Sequence, residues 1–418
     1  MERLPAFRDF YPEPVPHPDV WSADARQHLF QTWRDVARRY GFREYDGPPL
    51  ESLDLFTRKS GDEIVGQLYN FIDKGERPVA LRPEMTPTLA RMIVAHERNY
   101  KKPIKWFAIP QLFRYERAQK GRLREHFQFN ADIIGDADPA ADAEIIALLI
   151  DSLRALRLTD EDFVIRLSSR QAWQRFFSTR SEDASRASDF YQAIDKLERT
   201  EPEVSRTKLA AIGFSLDEVT AFIAASEPTA ELEAVRQNLA ARGLGGYVKL
   251  DYNVIRGLAY YTGVVFEAFD RKGEFRAIAG GGRYDNLVNL MSDGKVNLPA
   301  LGFGMGDVVL MELLKTRGLL PKFDAGLDVF VLIEDEALRP ESLKLIQDLR
   351  TAGCAVDYSF TALKPDKQFK RALELNASFT CRLERDPEAA SRARLKNLRT
   401  REEKLVPLSD VAAALRPA

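Results

Sequence analysis

The stretch FRYERAQKGRLREHFQFNADIIG, residues 113–135, decides the fold. Phe113 and Tyr115 alternate with Arg114 and Glu116, and Phe127, Phe129, Ala131 and Ile133 alternate with Gln128, Asn130 and Asp132. Strand side chains point to opposite faces with a period of two, so each arm has one apolar and one polar face. Between the arms, AQKGRLR supplies Gly121 for a turn and Lys120, Arg122 and Arg124 for charge. The pattern predicts an antiparallel hairpin that gathers an arginine, two carboxylates, an amide and a cationic loop tip. That set suits an anion together with a polar small molecule. An amphipathic hairpin whose polar face is merely wet would have the same pattern.

The wording of this hairpin resembles motif 2 of class II aminoacyl-tRNA synthetases, where FRxE is followed by a loop and an aromatic-containing return strand. FRYERxQKGRxRE…FQ is similar to the form found in histidyl-tRNA synthetases.

The composition agrees with a soluble globular protein. The 418 residues allow two or three domains with a large core. A formal net charge of -2 gives no global basic field, so an RNA partner would need local basic patches. Cys354 and Cys381 both lie in apolar, strand-like runs and read as buried thiols. His17, His28, His96 and His126 are scattered, and no Cys/His cluster has metal-ligand spacing, so no metal site is expected. No apolar run has the length of a membrane span, and the proline-rich start MERLPAFRDFYPEPVPHP is unlike a signal peptide. The expected location is cytoplasmic.

Upstream of the hairpin, Ala23, Phe30, Trp33, Ala37 and Tyr40 are spaced for one face of a helix ending before Gly41. GFREYDGPPLES then reads as a strand running into Pro48-Pro49. This pair resembles motif 1, the dimer-forming element of class II synthetases, though any helix–strand pair shares its spacing. LRPEMT, residues 81–86, is similar to the family signature LRPEGT, with Met85 in place of glycine. Alternation through Val79 and Leu81 predicts a strand presenting Glu84 and Thr86, where a carboxylate can accept a substrate ammonium. Glu84 fits equally well as an acid at a helix N-terminus before Pro87.

Residues 140–157 read as a core helix and 163–167 as a strand. From about 171 to 243 the chain is polar and helical, resembling the insertion these enzymes carry towards the tRNA acceptor stem. YVKLDYNVIRGLAYYTGVVFEAFD, residues 247–270, is similar to the signature RGLDYYTxTVFE, with Ala259 where most members have Asp. Arg256 carries a permanent charge on a planar donor fork that suits a carboxylate or phosphate. As a bare pattern it is equally a surface charge beside a turn, and Tyr261 a core aromatic. AIAGGGRYDNLV, residues 277–288, has three glycines that let a backbone approach a ligand, followed by Tyr284. PALGFGMGDVVLMELL stands where motif 3, GxxxGLERL, is expected, with Val308 and Val309 at the positions of its Glu and Arg. Valine cannot bind a phosphate. The form is similar to the GFGxGDVV of one branch of the family, so the loss need not mean inactivity.

From Asp324 onward, strands alternate with helices, which implies parallel pairing in a small α/β domain. This part resembles the anticodon-binding domain of class IIa synthetases. Lys364, Lys367, Lys370 and Arg371 form a local basic surface there.

Taken end to end, the resemblance implies an α+β class: an antiparallel sheet flanked by helices over residues 1–323, a helical insertion, and an α/β domain over 324–418, in a homodimer. It implies a histidine–tRNA ligase acting on ATP, histidine and tRNA(His). Arg114 and Arg256 would then hold the α-phosphate and carboxylate as the catalytic pair. Glu84, Thr86 and Gln128 would hold the ammonium end, with Asp132, Tyr261 and Tyr284 around the imidazole. Arg114, Glu116 and Arg122 would contact ATP, Arg122 taking the outer phosphates with Mg2+. The rival is a non-catalytic, histidine-binding regulatory subunit of ATP phosphoribosyltransferase, which Val309 and Ala259 favour and the three arginines oppose.

Overall fold

The computed structural model describes the chain except residues 1, 18–19, 61, 116–120, 182, 257–259, 324–325, 386–390 and 416–418, and the side chains of 59, 60, 62–64 and 184. Glu116, Lys120 and Ala259 therefore lie outside the described residues. The chain divides into two compact units, residues 1–11 with 15–321, and 12–14 with 322–418.

The first unit is built on a nine-stranded sheet. In chain order its strands are β1 (Arg43–Glu44), β2 (Ile104–Ala108), β3 (Gln111–Phe113), β4 (Glu125–Ile134), β5 (Phe163–Ser169), β6 (Val248–Leu250), β7 (Val264–Asp270), β8 (Ala279–Arg283) and β9 (Ala300–Gly306). Their spatial order is β6-β5-β7-β8-β9-β4-β2-β1, with β3 also pairing to β4. All pairs are antiparallel except β6 with β5 and β1 with β2, both at the sheet edges. The expected strand over GFREYDGPPLES is broken in two, β1 before the prolines and Leu50–Ser52 after them, because Pro48 and Pro49 cannot donate to a ladder. The chain then enters a separate three-stranded sheet of Leu50–Ser52, Pro78–Leu81 and Asn70–Ile72.

Helix α1 (Ala23–Arg39) starts on Ser22, whose hydroxyl accepts from the Ala25 N–H. It covers the apolar face of β4, where Trp33 stacks on Phe129 with ring centroids 5.5 Å apart. Helix α2 (Thr86–His96) follows the small sheet. Helix α3 (Pro139–Ala155) is apolar on every side from Ile145 to Ile150 and fully buried there, as such a stretch must be in water. Helices α4 (Arg170–Ser178), α5 (Ala187–Asp195), α6 (Pro202–Ala211), α7 (Leu216–Ala225) and α8 (Ala230–Ala241) form the insertion. It has its own aromatic centre, with Trp173 and Phe222 at 4.7 Å and Phe190 and Phe214 at 4.4 Å. Helix α9 (Asp307–Thr316) leaves the end of β9 directly.

The second unit is a five-stranded sheet ordered β11-β10-β12-β13-β14. Its strands are β10 (Val329–Leu332), β11 (Val356–Tyr358), β12 (Phe379–Glu384), β13 (Arg392–Asn397) and β14 (Glu403–Pro407). Helices α10 (Arg339–Thr351) and α11 (Pro365–Glu374) supply the parallel crossovers that alternation predicted. The antiparallel edge of β13 and β14 was not anticipated. Cys381 is buried on β12 and its thiol is pushed up to about 12 by burial, whereas Cys354 is half-buried and lies before β11 rather than in a strand. Among the described residues no single helix is long and apolar enough to cross a membrane.

Candidate active site

Strand register lays the site out in a line. Along β4 the side chains of His126, Gln128, Asn130 and Asp132 share one face, and β9 runs beside them with Gly302 opposite Asp132 and Gly304 opposite Asn130. A Cβ on Gly302 would meet Asp132 Oδ1 at 2.1 Å, and one on Gly304 would meet the Gln128 amide at 2.8 Å. The strands carry glycine here because polar side chains of β4 lie across them. On β8, paired with β9 so that Gly280 faces Gly304, a Cβ on Gly280 would meet the Arg256 guanidinium at 1.7 Å. Of the three glycines in AIAGGG, Gly280 thus makes room for the protein's own arginine, whereas Gly281 and Gly282 pack against the neighbouring strands.

Above this floor is a cavity of about 290 Å3. Every predicted site residue among those described lines it: Glu84, Thr86, Arg114, Arg122, Gln128, Asp132, Arg256, Tyr261 and Tyr284. One end is acidic. Asp132 is 4% exposed and accepts a hydrogen bond from the Tyr284 hydroxyl. Burial raises its pKa to about 7, against the opposing effect of that hydroxyl. The middle is cationic. Arg114 donates from Nε to the Pro83 carbonyl at 3.1 Å, which fixes the guanidinium under the Glu84 segment. Arg256 donates to Glu267 Oε1 at 2.7 Å and lies 5.5 Å from the Tyr261 ring centroid. Burial opposes the Arg256 charge, but the Tyr261, Glu267 and Tyr260 oxygens outweigh it and the pKa is raised. The Arg256 backbone is left-handed at φ 59, a costly conformation for a non-glycine residue and one that concentrates at functional sites. The far end holds Arg122, Arg276, Val308 and Val309.

Glu84 follows the strand Pro78–Leu81 and stands two residues before α2. Sequence reasoning missed His126, Tyr260 and Arg276 as lining residues. His126 was accessible to it, being in phase with Gln128 and Asp132; burial, then Arg114, Arg8 and Arg122, push its pKa down to about 3. Also missed was the support behind β4. Arg8 donates to Glu125 at 2.6 Å and to Asp307 at 2.8 Å, all three side chains being almost fully buried. The Phe127 N–H donates to Asp307 as well, at 3.0 Å, so the start of α9 is tied to the return strand of the hairpin. Burial raises the Asp307 pKa to about 6, with Arg8 acting in the opposite direction. No spacing rule links residues 8, 125 and 307.

The profile described as "Histidyl-tRNA synthetase" matches residues 19–307, and that described as "Anticodon binding domain" matches 328–417. The chain belongs to the histidyl-tRNA synthetase family. The family's histidine–tRNA ligase from Opitutus terrae is 43% identical over 100% of this chain and 98% of its own length. The chloroplastic/mitochondrial histidine–tRNA ligase of Arabidopsis thaliana is 38% identical over 88% of this chain and 77% of its own. The crystal structure of the histidyl-tRNA synthetase from Nostoc shares the fold, with a TM-score of 0.76, 24% identity and 97% of each chain covered.

Proposed function

We propose that the chain is a histidine–tRNA ligase that activates histidine with ATP and transfers it to the 3′ end of tRNA(His). The observation carrying this reading is the order along the cavity, a buried carboxylate, then two arginines, then further cations. That order fits an imidazole, a carboxylate beside an α-phosphate, and outer phosphates in turn.

In the first step a histidine carboxylate oxygen bonds to the α-phosphorus as the bond from that phosphorus to the bridging oxygen breaks. Pyrophosphate leaves with the electron pair, and no proton transfer is required. Arg114 and Arg256 neutralise charge building on the α-phosphate and hold the two reactants in line. Glu84, Thr86 and Gln128 receive the ammonium group, while Asp132, oriented by Tyr284, accepts an imidazole N–H beside Tyr261. In the second step a terminal ribose hydroxyl attacks the acyl carbon, AMP leaves with the electron pair, and the hydroxyl proton is lost.

Mg2+ would enter as the counter-ion of ATP. Among the described residues no group of three His, Cys, Asp or Glu side chains could hold a metal, and Glu267 is engaged by Arg256. The donor set does not build a protein cage, so no step is routed through the ion. We further assign the basic face of α11, with Lys364, Lys367, Lys370 and Arg371 all exposed, to tRNA. Homodimer formation and a cytoplasmic location complete the proposal.

Val309 favours a second reading, a histidine-binding regulator without ligase activity. Four cavity arginines, Arg114, Arg122, Arg256 and Arg276, weigh against it, because a histidine sensor needs no cations for a triphosphate. Aminoacylation separates the two. Purified protein, ATP and a tRNA(His) transcript should yield histidyl-tRNA, and no product under saturating substrates would support the regulator.

A further inference from the structure

Resting on the ligase reading, we propose that Arg276 supplies the positive charge for the outer phosphates of ATP. A triphosphate whose α-phosphate lies between Arg114 and Arg256 must extend its tail away from Asp132. The register defines that direction. Gly302 faces Asp132, and Gly306 lies four residues further along β9, a distance of about 13 Å at strand rise. Beyond Gly306 the wall becomes Val308 and Val309, whose side chains carry no hydrogen-bond donor and no charge for a phosphate.

Arg276 reaches this end from the neighbouring strand. β8 runs antiparallel to β9, with Ala279 opposite Met305, so the residues preceding Ala279 continue towards Gly306 and α9. The glycine of the hairpin loop reports how closely the parts converge. A Cβ on Gly121 would lie 3.3 Å from Val309 Cγ2 and 3.9 Å from Arg276 Cδ. Arg276 and Val309 thus meet around one point, with Arg122 adjoining it in sequence. Gly121 is itself left-handed, at φ 73, and leaves this corner free of side-chain bulk. Arg276 is exposed there, as a group at the open end should be for a pyrophosphate that must leave. Arg276 precedes β8 and Val309 lies in the first turn of α9, so that the cation comes from the β7–β8 connection and α9 supplies only its wall.

The test is the kinetics of ATP–pyrophosphate exchange in the full chain carrying Arg276→Ala. The KM for ATP and for pyrophosphate should each rise about tenfold, the effect of one charge-assisted phosphate contact. The KM for histidine, and inhibition by a sulfamoyl analogue of histidyl adenylate that lacks the outer phosphates, should stay within about twofold. Arg276→Lys should fall between the two, and Val309→Arg added to Arg276→Ala should restore much of the ATP affinity. Unchanged KM values for ATP and pyrophosphate in Arg276→Ala, or equal weakening of the sulfamoyl analogue, would overturn the inference. Absence of exchange in the parent chain would instead overturn the ligase reading.

Discussion

Asp132 is held in a state that favours function over stability. Its pKa is raised by burial to about 7, so the folded protein binds its proton more tightly than the unfolded chain does. The stability it contributes is therefore present at low pH and is lost as pH rises through about 7. Asp132→Asn keeps an acceptor for Tyr284 but cannot ionise. It should raise Tm by a few degrees at pH 8, with the difference fading towards pH 5, while histidine-dependent activity is lost. Thermal melts at the two pH values check the sign. The same ionisation should govern substrate affinity in the parent, with kcat/KM for histidine falling below about pH 7 as the carboxylate protonates. For the arginine pair, Arg114→Ala or Arg256→Ala should reduce the activation rate on the order of 10²-fold in a folded protein. A loss of only a few-fold in single-turnover assays would remove them from the α-phosphate. Both arginines were legible because the stretches around them, FRYE and RGLAYYT, resemble the family's signatures; their local spacing alone fits a wet hairpin face and a surface charge beside a turn equally well. Arg276 was not, since nothing in its local spacing distinguishes it from a solvated surface charge.

Two devices in the strands and helices hold these residues in place. The first is the glycine floor. Ala at 280 would collide only with the mobile end of Arg256, whereas Ala at 302 would also meet the Ala131 carbonyl at 2.6 Å. Gly280→Ala should therefore fold normally and lose activity as Arg256→Ala does. Gly302→Ala should also destabilise the protein, by about 1–3 kcal/mol in denaturant titrations. The second is the Arg8–Glu125–Asp307 cluster. Arg8→Ala leaves two carboxylates buried side by side and should cost roughly 3–5 kcal/mol at pH 8. The loss should shrink near pH 5, because a carboxyl already raised to about 6 becomes protonated there. At this scale the return strand β4 was legible from period two, whereas the first arm expected over residues 113–116 is the strand β3, which ends at Phe113. The buried cluster was not, since its members are separated by more than a hundred residues and only the fold joins them.

At the scale of the whole molecule, one unit carries the cavity and the other a lysine-rich helix, α11. The alternation of strands and helices made the parallel part of the second unit readable. The antiparallel strands β13 and β14 escaped because RARLKN and EKLVP are charged, as edge strands tend to be. The insertion was read as polar helices, and its aromatic centre went unnoticed because Trp173, Phe190, Phe214 and Phe222 come from four separate segments. The proposed function requires the cavity to form an adenylate from histidine and from no other amino acid. ATP–pyrophosphate exchange measured with each of the standard amino acids in turn tests this most directly. The account predicts exchange with histidine alone. Tight histidine binding without exchange at any ATP concentration would contradict it.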